Sequence, residues 1–250
     1  MMISISTHIK KFLTPATLMI FVVILGSYAL SLCNGEMLRP NTVPSDASYN
    51  KKTNVYSKTA NGEMKEWFEN GTLVSQAKTN EFGILDGKFD RFDYLTGSIV
   101  SFGEFQMGER KGKWVWNFSD GLPYMEIHFQ PGNRKRQLWI PVIDIGNETG
   151  AYIRYFRNGR VNEKGSYDGG NRVGDWVRYY PDTRPESKGS YLDDKKIGEW
   201  LYYYPSGSKE AFELYSNTGE FLKRITYYPN GSIWCVTEGE KTPVCNSNNP

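Results

Sequence analysis

Histidine and cysteine are scarce in this chain of 250 residues, with two of the first and three of the second. His8 lies in an apolar N-terminal stretch, which leaves His128 as the one imidazole for any Ser-His or Cys-His arrangement. Its place between Ile127 and Phe129 on a predicted strand fits a structural or exposed residue. Outside the N-terminal stretch that contains His8 and ends at Cys33, Cys235, Cys245 and His128 remain, and two cysteines and one histidine do not make a tetrahedral zinc site. A charge excess is missing as well: 30 Lys plus Arg stand against 28 Asp plus Glu, and a net charge of +2 gives no electrostatic basis for a nucleic-acid partner. No glycine-rich phosphate loop stands between a strand and a helix. Carboxylates that might work in pairs, Asp86, Asp90, Asp93, Asp193, Asp194 and Glu199, fall mostly in predicted loops, where a solvated turn is the default. These absences predict a protein that is not an enzyme and holds no cofactor or metal.

Aromatics and glycine are abundant: 17 Tyr, 13 Phe, 7 Trp and 25 Gly, a composition suited to short half-buried strands joined by tight turns. They recur with a fixed period. Tyr152-Ile-Arg-Tyr-Phe156, Trp176-Val-Arg-Tyr-Tyr180, Trp200-Leu-Tyr-Tyr-Tyr204 and Arg224-Ile-Thr-Tyr-Tyr228 each begin 24 residues after the one before. Such a period marks one supersecondary unit stacked on copies of itself. The turn position is occupied by Gly71, Gly97, Gly121, Gly159, Thr183, Gly207 and Gly231, in steps of 26, 24, 38, 24, 24 and 24. Asn or Ser before this glycine, as in Asn230-Gly231 and Ser206-Gly207, is a β-hairpin signature. The step of 38 marks an insertion, residues 130–146, that runs from basic Arg134-Lys-Arg136 to apolar Trp139-Ile140. Insertions of this kind map to loops, often on a binding face.

Period-two alternation predicts two faces. One carries Ile153 and Tyr155, Val177 and Tyr179, Leu201 and Tyr203, Ile225 and Tyr227, and is expected to be the buried one. The other mixes aromatics with Arg, namely Tyr152, Arg154, Trp176, Arg178, Trp200 and Tyr202.

The N-terminus reads as a targeting segment. Lys10 and Lys11 precede an apolar stretch from Phe12 to Leu32, and three fates fit it: cleavage after Ser31, lipid attachment at Cys33, or retention as an anchor. Leu30-Ser31-Leu32-Cys33 is similar to a bacterial lipobox, although Leu32 departs from the small residue such a site wants. Near the C-terminus Cys235 and Cys245 stand ten apart, spaced to close a small disulfide loop worth roughly 2–3 kcal/mol. The expected organisation is residues 1–32 as signal peptide or anchor, 33–59 as a flexible tether, 60–236 as the repeat array and 237–250 as a tail.

The unit Gly198-Glu-Trp200-Leu-Tyr-Tyr-Tyr-Pro-Ser-Gly207, with close echoes at Gly174-Asp-Trp176 and Lys111-Gly-Lys-Trp114, resembles the MORN repeat, and more closely its bacterial antitoxin-labelled variant. The resemblance runs over roughly residues 60 to 236, with the unit around Trp67 degenerate. It implies an all-β fold: an elongated, single-layer antiparallel sheet of successive hairpins. It also implies an interaction module, with antitoxin-like or lipid-binding activity as variants. The leading functional expectation is a non-enzymatic scaffold, exported and associated with the membrane of a cell envelope, or else secreted, binding an unidentified protein. Trp139, Arg154, Trp176, Arg178, Trp200 and Tyr202 are its candidate contact residues, being of the types enriched in binding hot spots. The alternative is carbohydrate binding by stacking, which requires Trp176, Trp200 and Tyr202 to face solvent.

Overall fold

The computed structural model describes residues 39–132 and 148–246. All regular structure in this part is strand: β1 (Ser48–Asn50), β2 (Val55–Ala60), β3 (Glu63–Phe68), β4 (Leu73–Thr79), β5 (Leu85–Phe92), β6 (Ile99–Gln106), β7 (Glu109–Asn117) and β8 (Pro123–Phe129). After the insertion follow β9 (Glu148–Tyr155), β10 (Val161–Asp168), β11 (Asn171–Tyr179), β12 (Pro185–Leu192), β13 (Lys195–Tyr203), β14 (Lys209–Tyr215), β15 (Phe221–Tyr227), β16 (Ile233–Glu238) and β17 (Val244–Cys245). Each strand pairs antiparallel with the next in the chain, so the array is one open meander in a single layer. The insertion leaves the ladder whole, because Met125 and Ile127 of β8 pair directly with Arg154 and Tyr152 of β9. Residues 133–146 of that insertion, Trp139 among them, lie outside the described residues, as do Cys33 and the entire 1–32 segment. Among the described residues no helix is long and apolar enough to cross a membrane.

Two turn types predominate along the meander, although Gly83 and Gly219 bring the first type to the end where two-residue turns otherwise sit. At one end the amide of Gly207 donates to Tyr204 carbonyl (2.8 Å) and that of Tyr204 to Ser208 (2.9 Å), with Gly207 at φ 90°. This turn with a left-handed third residue recurs at Gly71, Gly121, Gly159 and Gly231, and Thr183 adopts it at φ 77° despite its branched side chain. At the other end sit two-residue turns with both φ positive, as at Asn61-Gly62 and Asp193-Asp194. Asp193 and Asp194 are therefore turn formers.

The face expected to be buried is the more open one. Val177 and Leu201 are half-buried, whereas Tyr152, Trp176 and Trp200 on the opposite face are 7%, 4% and 5% exposed. A one-layer sheet has no second layer to cover aliphatic side chains, so the large side chains that are buried in this part of the array are rings that lie on the sheet itself. The local geometry achieves this with a bulge. Where β10 places one residue, Gly165, β11 places three, Gly174 to Trp176, between the pairs Lys164↔Val177 and Ser166↔Val173. The same three-for-one arrangement sets Gly198 to Trp200 against Gly189 and Gly112 to Trp114 against Gly103. A Cβ on Gly103, Gly165 or Gly189 would collide with the indole of Trp114, Trp176 or Trp200 respectively. The glycines are thus the bed on which the rings lie, and Trp114 and Trp200 fasten themselves by donating Nε1 to Glu104 and Ser190 carbonyls at 3.0 and 3.1 Å.

The ends of the array also differ from expectation. Residues 39–59 are not a tether: Val43 and Ala47 are 4% and 3% exposed and pack with Tyr56 and Trp67, and strands begin at Ser48. Arg39 fixes this cap, donating to the carbonyls of Pro44 (2.7 Å) and Ala47 (2.9 Å) and lying 5.2 Å over the Tyr56 ring. A first hairpin without a preceding neighbour needs such a cover. At the far end β17 pairs with β16 and Cys235 is disulfide-bonded to Cys245, so much of the expected tail is stitched to the last hairpin.

Candidate binding groove

Each bulge tryptophan carries a cation four residues before it. Arg110 lies 4.7 Å over Trp114, Arg172 5.9 Å over Trp176 and 4.0 Å over Tyr191, and Lys196 4.9 Å over Trp200 and 5.2 Å over Tyr202. The rings meet edge to face from strand to strand: Tyr167 on Trp176 at 5.3 Å, Trp176 on Tyr191 at 5.9 Å and Tyr191 on Trp200 at 4.8 Å. Cations above a continuous aromatic ladder gain from the ring quadrupoles without needing a carboxylate at each site.

On this face a groove of about 190 Å³ crosses β12. Trp176 and Arg178 of β11 form one wall, Trp200 and Tyr202 of β13 the other, and Ser187 of β12 lies between them, opposite both Arg178 and Tyr202. A short side chain at 187 between long ones on both neighbours is what opens the space. Arg172 and Lys196 close one end, and Glu163 lines the β11 side beside Arg178.

The carboxylates here are shared. Glu163 takes Nη2 of both Arg154 and Arg178 at 3.2 Å. Glu213 is 6% exposed and accepts from Tyr202 (2.7 Å), Tyr215 (3.0 Å) and Lys196 (3.1 Å), with Arg224 at 3.4 Å. Burial alone would raise the Glu213 carboxyl, but the hydrogen bonds from Tyr202 and Lys196 and the charge of Lys196 outweigh it and hold it below its ordinary value. Tyr202 is raised, first by burial and then by its bond to Glu213, and burial and the same carboxylate push Tyr215 up to about 12.

Of the six contact residues expected from sequence, five meet on this face. Arg178 is exposed, Arg154 and Tyr202 are half-buried, and Trp176 and Trp200 are buried at the base of the two walls with their ring faces covered; Trp139 lies outside the described residues. Arg172, Tyr191, Lys196, Glu163 and Glu213 were not singled out. The spacing Arg172-x-x-x-Trp176 and Lys196-x-x-x-Trp200 carried the signal for two of them. So did the step of 24 from Gly165 to Gly189 to Glu213, which shows a carboxylate standing where the repeat keeps glycine. At that point β14 and β15 pair without a bulge, Glu213 opposite Arg224.

Against known proteins, the MORN repeat variant matches residues 60–80, which contain β3, the turn at Gly71 and β4. One unit of the array thus matches the MORN repeat variant. The matched MORN unit is the one around Trp67 that its sequence had marked as degenerate; it keeps the Asn-Gly turns at Asn61-Gly62 and Asn70-Gly71. No curated protein matches the chain. Among solved structures, an S. aureus TarM mutant in complex with Fondaparinux, alpha-GlcNAc-glycerol and UDP is 15% identical over 54% of this chain and 22% of its own, with a TM-score of 0.25. The GtfA/B complex bound to UDP and GlcNAc is 10% identical over 51% of this chain and 22% of its own, with a TM-score of 0.20. The chain thus spans about a fifth of either protein, at a similarity too low to bear on function. MORN repeats as a class are modules of protein and membrane interaction.

Proposed function

We propose that this MORN-repeat protein is a non-enzymatic scaffold of the cell envelope that binds another protein across the β11–β13 groove. The observation that carries the reading is the groove itself, which combines depth, half-buried aromatics and accessible cations around Arg178 and Tyr202. Tyr and Arg at such a place are the side chains that dominate binding energy. Sugar stacking is less well supported, because the indole faces of Trp176 and Trp200 lie on glycine backbone and under cations. The acids that might have paired for catalysis serve as turn and ladder partners: Asp93 accepts from Leu95 and Thr96, Asp90 from Gln76, and Asp194 from Arg172. His128 is exposed on β8. Lys10, Lys11 and the apolar run to Leu32 support the envelope placement.

A photo-crosslinking amino acid at Ser187, in native cells, is expected to capture a discrete protein that the same probe at exposed Leu222 does not. Equal labelling from both positions, or none from Ser187, would sink the scaffold reading. The intact mass of the mature protein checks the placement, with lipid on Cys33, loss of residues 1–31 or a retained segment in a membrane fraction as the supporting outcomes. A full-length form in the cytosolic fraction alone would overturn it.

A further inference from the structure

We infer that the occupant of the groove is an acidic segment of the partner protein. This deepens the scaffold reading and rests on it. Around the groove, five cations are held by three carboxylates: Arg154 and Arg178 share Glu163, Lys196 and Arg224 share Glu213, and Arg172 takes Asp194. The carboxylates are the less accessible members of the shared pairs. Glu163 and Glu213 side chains are 19% and 8% exposed, while Arg178 and Arg224 are 46% and 49% exposed. A shared carboxylate cannot satisfy all the N–H groups of two cations, so Arg178 presents donors toward the opening that an incoming carboxylate can take, bidentately and with charge.

The surroundings select among anions. Arg178 lies at the rim, with Ser187 across from it and Tyr202 beyond, so a carboxylate on a short stem reaches the guanidinium while its stem packs against the Tyr202 ring. Glutamate and aspartate side chains have that form. An anionic sugar that also stacks would need an open indole face beside the cation, and both indoles are covered. A basic segment would bring like charge against Arg172, Arg178 and Lys196.

The test uses the full chain and a fluorescein-labelled deca-glutamate peptide, followed by anisotropy. Saturable binding is expected that weakens as salt is raised and falls by about tenfold or more with Arg178→Glu. Ser187→Trp, which fills the groove without changing charge, is expected to abolish it. Arg91→Glu, on an exposed residue of β5 far along the same face, leaves it unchanged. Thermal melts of the variants establish that each remains folded. Absence of saturable binding, an equal loss with Arg91→Glu, or equal binding of deca-lysine or an oligogalacturonate would overturn the inference. A partner crosslinked through Ser187 that lacks an acidic segment would also overturn it while leaving the scaffold reading intact. Deca-glutamate binding with no protein captured in cells would overturn the scaffold reading and, with it, the assignment of the occupant to a partner protein.

Discussion

Gly189 of β12 lies directly beneath the indole of Trp200 on β13, and the same relation joins Gly165 to Trp176 and Gly103 to Trp114. The G-x-W element of the repeat is thereby explained: its glycine opens a bulge at left-handed φ, 63° at Gly174 and 61° at Gly198, and its tryptophan folds across the glycine of the neighbouring strand. Gly189→Ala should therefore lift the ring and destabilise the array by about 1–3 kcal/mol, as overpacking does elsewhere. Urea unfolding followed by tryptophan emission checks this. A Gly189→Ala protein as stable as the wild type would show that the ring is not held against the strand.

A second tie runs between repeats. The Tyr180 hydroxyl donates to Tyr203 carbonyl and the Tyr204 hydroxyl to Tyr227 carbonyl, each at 2.7 Å. Tyr204→Phe keeps the ring and removes the donor, so the expected loss is about 1 kcal/mol. Chemical denaturation gives the value, and Phe156, which stands at the equivalent place without a hydroxyl, shows that the fold tolerates the change.

Thr183 sits at φ 77° in the turn where five sister units have glycine at φ 78–90°. Thr183→Gly relieves that strain and should stabilise the protein by about 1 kcal/mol, while Gly207→Thr should cost a similar amount. Melting temperatures of the two variants should move in opposite directions.

The Glu213 cluster makes a pH prediction. Its folded carboxyl titrates below the ordinary value, so the stability it contributes is fully present above the unfolded value and is lost as pH falls through the folded one. The raised hydroxyls of Tyr202 and Tyr215 act in the opposite direction: their contribution is present below the unfolded tyrosine value and is lost as pH rises through the folded values. Glu213→Gln should flatten the acid limb of a stability-against-pH curve and lower stability at neutral pH by leaving Lys196 and Arg224 without their shared anion. An unchanged acid limb would contradict the assignment.

Breaking the Cys235–Cys245 bond should fray the last hairpin, with a cost on the order of 2–3 kcal/mol for so short a loop. Hydrogen exchange of the wild type, oxidised and reduced, should show faster exchange confined to β15–β17.

The period, the hairpin turns and the one-layer architecture were legible because glycine at a left-handed position and aromatics at a fixed step have one physical reading. The facing of the strands was not. Alternation separates Ile153 and Val177 from Tyr152 and Trp176, but only the bulge decides which set is covered, and a bulge depends on pairing between strands 11 residues apart. The cap escaped notice for a related reason. Val43 and Ala47 are isolated apolar residues among Pro, Asn and Ser, and their burial is caused by Trp67, not by their own neighbours in sequence. Arg178 and Tyr202 of the groove, and Arg154 beside it, were legible because they recur at the repeat spacing, whereas Glu213 is informative for departing from it.

The unbroken neighbour-to-neighbour pairing of the meander bears on how the molecule comes into being. No described strand waits for a partner made much later, so loop-closure entropy stays small at every step. The N-terminal cap and first hairpin can form before the rest of the array arrives, and each later hairpin finds a finished edge to dock on. Folding can therefore proceed hairpin by hairpin as the chain arrives, on either side of a membrane, with the Cys235–Cys245 bond stapling the last hairpin.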